Sequence, residues 1–208
     1  MTFQELGLNC LAAFHPPTYL HSMMVGKLTV CLCTQLLQSH PEAFRGIMGY
    51  DGRTPMTENQ KYDILSFAYQ SGLCHDFGKL YVMDVISVYG RKILENEFAM
   101  IKSHPRLGDM LLSRCESTRR YANIAKGHHK WYDNTKGYPE DFDTGKVPEK
   151  VIIDLVAVAD CIDAATDTVG RSYNRGKTLD DMKAELTEGA GTRYTPYIVE
   201  LLEDEKVC

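Results

Sequence analysis

The chain has 208 residues, 44% of them hydrophobic and 25% charged, a globular composition that excludes an intrinsically disordered segment and suits one sizeable core. A formal net charge of −5 gives no overall pull toward a nucleic-acid polymer or an anionic membrane, so phosphate recognition has to come from local charge or a metal. Seven cysteines (Cys10, Cys31, Cys33, Cys74, Cys115, Cys161, Cys208) stand singly or as CxC without CxxC pairs, suggesting reduced thiols in a cytoplasmic protein, and the longest apolar stretches, around Leu28–Leu37 and Val151–Ala159, fall short of a membrane span.

From Tyr19 to Ser39, Leu20, Met23, Met24, Leu28, Cys31, Leu32, Leu36 and Leu37 recur at three- and four-residue steps, the mark of a helix with one buried face. Pro16 and Pro17 precede it and Pro41 follows it, with His21 in its first turn. Arg45 to Pro55, with Gly46, Gly49 and Asp51-Gly52, reads as a loop. Thr57 caps a helix that runs to Cys74 and delivers His75-Asp76. Leu80 to Val88 is β-branched but has no partner strand, so it reads as loop plus short helix.

Asn96 to Lys102 is helical, and His104-Pro105 then marks a helix junction, because proline disfavours the α region before it and suits the first position of a new helix. Helices follow over Pro105–Cys115 and Ser117–His129. Trp131 to Val147 is the longest irregular segment, a length that usually signals function or mobility. Val151 to Asp167 is the most apolar helix; a basic stretch from Gly170 to Lys177 and helices at Thr178–Glu188 and Thr195–Glu203 complete the chain. The pattern predicts one all-α domain over residues 1–208, with its core at about 18–203.

Five of the seven histidines (His21, His75, His104, His128, His129) fall at or near these helix ends, and Asp76 and Asp160 join them. Imidazole with carboxylate is the ligand set of zinc, iron and manganese sites. Asp160 lies in a helix apolar nearly all round, where a carboxylate is costly unless paired or metal-bound; a buried salt bridge, or an exposed stripe through Asp154, is the alternative. Asp163 shares a face with Asp160 and is placed to orient a ligand.

His75-Asp76-Phe77-Gly78-Lys79 resembles the HDxGK motif of the HD-GYP subgroup of the HD-domain metal-dependent phosphohydrolases, and Gly137-Tyr138-Pro139 is the tripeptide that names that subgroup. His21-Ser22, the HPxxG-like segment His104-Pro105-Arg106-Leu107-Gly108, His128-His129, Ala159-Asp160 with Asp163-Ala164, and Arg171-Ser172-Tyr173 follow in family order. The resemblance implies a helical bundle with a long GYP-containing loop and a phosphodiesterase that cleaves the cyclic dinucleotide c-di-GMP by a hydroxide bridging two divalent metal ions, commonly iron or manganese. It implies His21, His75, Asp76, His104, His128, His129 and Asp160 as ligands, with Asp76 bridging and catalytic. Lys79 is expected to hold a phosphate oxygen, and Tyr138, Arg171 and Arg175 are candidates for substrate binding. Tyr138 could equally meet a protein partner such as a diguanylate cyclase domain, and the arginines could be a solvated basic face.

The chain departs from the pattern in having Pro17 where three-metal members carry Glu, which favours two metals, and Lys130 where the family has Glu after the paired histidines. The second departure leaves another nucleotide as substrate, or a non-catalytic dinucleotide-binding module, as alternatives. Starting almost at the first motif, the chain is expected to be a piece of a larger protein or to form a homo-oligomer.

Overall fold

A computed structural model describes residues 1–87, 91–166 and 176–203. The helices are α1 (Phe3–Phe14), α2 (Pro16–Ser39), α3 (Glu58–Cys74), α4 (Met83–Ile86), α5 (Glu95–Ile101), α6 (His104–Leu112), α7 (Glu116–Arg119), α8 (Ala122–Gly127), α9 (Lys150–Thr166), α10 (Leu179–Glu188) and α11 (Ile198–Glu203), with short 3-10 turns that include Phe77–Tyr81 and Thr144–Lys146. Strands are absent among the described residues, which hold two isolated bridges, Lys130 with Gly137 and Ala190 with Tyr194. The fold is all-α, as the sequence predicts.

The centre is α2, which packs mainly against α3 and α9. Its buried positions, Thr18, His21, Ser22, Val25, Gly26, Thr29, Leu32, Cys33 and Leu36, step by three and four residues and so form one continuous stripe. The helix starts earlier than its apolar pattern: Pro16 and Pro17 lie inside its first turn, where a missing N–H costs nothing, and the His15 ring accepts the Thr18 N–H at 3.2 Å as the cap. At 24 residues and mean hydropathy 1.3, α2 is by length and composition long and apolar enough to cross a membrane, longer than the apolar stretch within it suggests. Here that apolar stripe is used against α3 and α9.

Two sequence expectations need correction, and one helix lies where the sequence reading assigned no element. A helix precedes the first motif: α1 is opened by a Thr2–Glu5 capping box and places Leu11 in the core. The single helix expected from Ser117 to His129 is two, because Thr118 Oγ1 turns back to the Leu112 and Cys115 carbonyls and Tyr121 is drawn into the core against Phe67, ring centroids 5.6 Å apart. The reading of all cysteines as reduced fails for Cys31, half-buried on α2, which is disulfide-bonded; pairing in space leaves no trace in CxxC spacing. Cys10, Cys33, Cys74, Cys115 and Cys161 are free.

Two close crossings draw the elements together. A Cβ on Gly72 of α3 would stand 2.6 Å from the Gly26 Cα of α2, so α2 and α3 touch backbone to backbone one turn before His75. A Cβ on Gly78 would stand 1.8 Å from the His104 carbonyl oxygen and 2.5 Å from the Gly108 nitrogen, so the turn after Asp76 lies against the first turn of α6. Both glycines are required for space rather than for a positive φ.

Candidate metal centre

The helix ends do the positioning. The last carbonyls of a helix have no intrahelical partner, and three histidines use such groups three residues upstream: His75 Nδ1 donates to Gly72 O at 2.7 Å, His104 Nδ1 to Ile101 O at 2.7 Å and His128 Nδ1 to Ala125 O at 2.8 Å. His21 Nδ1 meets Asp163 Oδ2 at 2.5 Å, the orienting role expected of Asp163. With Nδ1–H committed to a carbonyl in His75, His104 and His128, Nε2 of each of these three rings is left as the lone-pair nitrogen.

Those Nε2 atoms converge on Asp76, which is almost fully buried. Asp76 Oδ1 lies 3.2 Å from His104 Nε2 and 3.9 Å from His128 Nε2, while Oδ2 lies 3.4 Å from His75 Nε2 and 3.6 Å from His21 Nε2. Asp160 Oδ1 is 3.1 Å from His21 Nε2, and its Oδ2 is 3.9 Å from His129 Nδ1. The donors sort into overlapping groups, each within 4.8 Å: His21, His75 and Asp160; His104, His128 and His129; and His75, Asp76 and His128. Asp160 thus faces the cluster, and the buried salt bridge belongs to Asp154, paired with Lys150 at 3.0 Å.

The residues fit divalent cations. Two donors bound to one ion at about 2.1 Å and at right angles lie about 3.0 Å apart, the scale of the shorter separations here. His104 and His128 face each other through Nε2 at 3.1 Å; with both Nδ1 protons committed, neither offers a proton to the other, and a cation between two lone pairs removes the repulsion. His21 Nε2, His75 Nε2 and Asp76 Oδ1 are buried without a hydrogen-bond partner among the described residues, a cost that metal binding removes.

Protonation is suited to the same end. Burial, reinforced by the neighbouring His129, His75 and His104, pushes His128 well below the usual histidine range, and burial takes His129 to about 3. For Asp76 burial works in the opposite sense, but Lys79, His75 and His104 win and hold it well below the ordinary carboxylate range; His21 does the same for Asp160. For His21, burial opposes the charge and Asp160, Asp163 and Asp76 overcome it, raising it to about 9. Two unprotonated imidazoles, two ionised carboxylates and a local demand for positive charge describe a ligand set ready for a cation.

Lys79 reaches Asp76 Oδ2 at 2.5 Å and remains partly exposed, at the boundary between cluster and solvent. The Trp131–Val147 segment is ordered by specific contacts. Gly137, at φ +85°, brings the chain back so that Tyr138 N–H donates to His129 O at 3.2 Å. The Tyr138 ring then lies over His129, centroids 4.6 Å apart. Asn134 Oδ1 accepts from Thr144 N–H at 2.9 Å, and Lys150 donates to Tyr132 O at 3.0 Å while sitting 4.0 Å from that ring. Trp131 stacks under Lys136, so both aromatics pack the loop. Arg171 and Arg175 lie outside the described residues. The sequence reading missed the glycine pair Gly26 and Gly72; the signal was present, since each glycine stands within a helical pattern.

Helices whose ends present a buried His/Asp cluster define an all-helical domain with a cluster that could hold metal ions. The family model described as HD domain matches residues 18–165, which contain all seven cluster residues, and the chain belongs to that family. Among curated relatives, a "Cyclic di-GMP phosphodiesterase" of Vibrio cholerae is 32% identical over 143 residues, 65% of this chain and 28% of the relative. A "Cyclic di-GMP phosphodiesterase response regulator RpfG" of Xanthomonas campestris is 36% identical over 145 residues, 64% of this chain and 36% of the relative. A "3'3'-cGAMP-specific phosphodiesterase 2" of Vibrio cholerae is 32% identical over 132 residues, 62% of this chain and 24% of the relative. The chain spans about a third or less of the length of these relatives.

Proposed function

We propose that this chain is a metal-dependent phosphodiesterase that hydrolyses a cyclic dinucleotide, c-di-GMP foremost, with two divalent ions, iron or manganese, as cofactors. The observation that carries the reading is the sorting of donors about Asp76: His21, His75 and Asp160 on its Oδ2 side, His104, His128 and His129 on its Oδ1 side. In this reading Asp76, at the centre, and the other six residues would hold the two ions. When bound, such ions activate water for attack at phosphorus and neutralise charge on the phosphoryl oxygens.

The chain's own groups do the rest. Lys79, paired with Asp76 and partly exposed, would hold a phosphate oxygen of the substrate. Tyr138, fixed over His129, walls one side of the site and excludes water from it. The names of the relatives, which act on cyclic di-GMP and on 3'3'-cGAMP, support the substrate class.

The test is anaerobic purification with iron or manganese, metal analysis, and assays on c-di-GMP, 3'3'-cGAMP and linear nucleotides. Two ions per chain and turnover of a cyclic dinucleotide are expected. A loaded protein that cuts only linear nucleotides overturns the substrate class; one that binds cyclic dinucleotide without cutting it is a regulatory module instead; a single ion per chain overturns the two-metal site.

A further inference from the structure

A cyclic dinucleotide carries two phosphodiesters and two bases, and the metal cluster with Lys79 accounts for only the phosphodiester that is cut. We infer that Phe98 of α5 and Lys102, the residue just past its end, form the subsite for the other half of the substrate, Lys102 meeting the second phosphate and Phe98 offering its ring to a base. The inference rests on the cyclic-dinucleotide reading above and adds residues to it.

Three observations place this subsite. The Lys102 ammonium lies 4.8 Å from the Phe98 ring centroid and 5.9 Å from that of Tyr138. A helix-surface pairing of residues four apart accounts for the first contact; the second carries Lys102 toward the wall of the metal site, because Tyr138 stacks on His129 and stands 6.4 Å from His104. Second, the end of α5 beside the pair is fixed to a candidate ligand: the carbonyl of Ile101, its last residue and next to Lys102, accepts the His104 Nδ1–H that orients this ring. Third, both side chains are open to a ligand. Lys102 is exposed, Phe98 is 50% exposed, and Lys102 has no carboxylate partner among the described residues. Arg106 of the next helix, by contrast, is paired with Asp141.

An unpaired ammonium beside a half-exposed aromatic ring, at the rim of a site for a phosphodiester, has the chemistry that holds one nucleotide: charge for the phosphate and a face for the base. Such a subsite adds to the binding of a dinucleotide and is irrelevant to a small ester cut at the cluster alone.

The experiment compares wild type, Lys102→Ala, Lys102→Arg and Phe98→Ala, each loaded with manganese, on c-di-GMP and on bis(p-nitrophenyl) phosphate. Lys102→Ala and Phe98→Ala are expected to raise KM for c-di-GMP about tenfold each, with kcat and hydrolysis of the small ester near wild type and KM restored by Lys102→Arg. An unchanged KM for c-di-GMP in both alanine variants overturns the inference, as does a parallel fall in small-ester hydrolysis, which marks a structural role. A wild type that cuts c-di-GMP while these variants match it overturns the subsite alone. A wild type that cuts the small ester but neither binds nor cuts a cyclic dinucleotide overturns the cyclic-dinucleotide reading and the subsite with it.

Discussion

Replacing Gly78 with alanine tests whether the metal cluster depends on the backbone contact between the HDxGK turn and α6. The new methyl group would sit 1.8 Å from the His104 carbonyl oxygen, 2.5 Å from the Gly108 nitrogen and 2.8 Å from the His104 carbonyl carbon. These are backbone atoms, so no rotamer change relieves the clash. Real Cβ contacts stay beyond 3.0 Å, and the carbonyl must therefore retreat by about 1.2 Å. That movement carries the first turn of α6 and stretches His104 Nε2 away from Asp76 Oδ1, now at 3.2 Å. Overpacking of this kind costs about 1–3 kcal/mol in stability, and displacement of a catalytic group by about 1 Å costs on the order of a hundredfold in rate. The expected variant is folded, melts lower than wild type, retains less metal after dialysis and hydrolyses c-di-GMP about a hundredfold more slowly. Gly145→Ala serves as the control: its Cβ would meet only the movable Asp143 carboxylate, at 3.2 Å, so wild-type metal content is expected. A Gly78→Ala protein with wild-type metal content and activity would refute the argument.

Other perturbations separate the contributions. Asp163→Ala removes the acceptor that fixes His21 Nδ1 at 2.5 Å; metal affinity measured by chelator competition should fall about 10- to 100-fold, and an unchanged affinity would show that α2 alone orients the ring. Burial pushes Asp154 up to about 7 against the pull of Lys150, so the folded protein keeps a proton there that the unfolded chain has lost. The stability tied to that proton is complete below about pH 4 and is lost as pH rises to about 7. Depressed His128 and His129 pull stability the other way in both proteins, so the contribution of Asp154 is read as a difference: from pH 4 to 8 the melting temperature of metal-free wild type should fall relative to that of Asp154→Asn as pH rises, and parallel profiles would contradict it. Stripping metal with a chelator should abolish hydrolysis and lower the melting temperature, with iron or manganese restoring both, since a ligand at about a thousand times its Kd stabilises the fold by about 4 kcal/mol.

How much of this was legible in the sequence depends on how local each cause is. Apolar periodicity located α2, α3 and α9, and Thr57 and Thr178 marked helix starts whose capping boxes the structure contains, because periodicity and capping act within four residues. Side-chain competition at Thr118 and burial of Tyr121 broke a helix that propensity continues, since the partners, Leu112 and Phe67, are remote or come from another element. The start of α1 is marked by an equally local signal, the Thr2–Glu5 capping box. The residues of the candidate site were named as a set through family resemblance, and the structure brings them together in one cluster whose geometry the sequence did not give.

That geometry follows from a single arrangement repeated at three helix ends. A histidine placed just past a helix uses the carbonyl three residues back as the acceptor for Nδ1, so the backbone itself selects the tautomer and leaves Nε2 free to face the cluster. For three such vectors to meet at one carboxylate, the helices must end close together, closer than side chains between them allow. Gly72 against Gly26 and Gly78 against Gly108 remove those side chains at the crossings nearest to His75 and His104. The glycine in HDxGK and the glycine in HPxxG are therefore the two faces of one contact, and the spacing of each motif is the distance along the chain from that contact to its histidine.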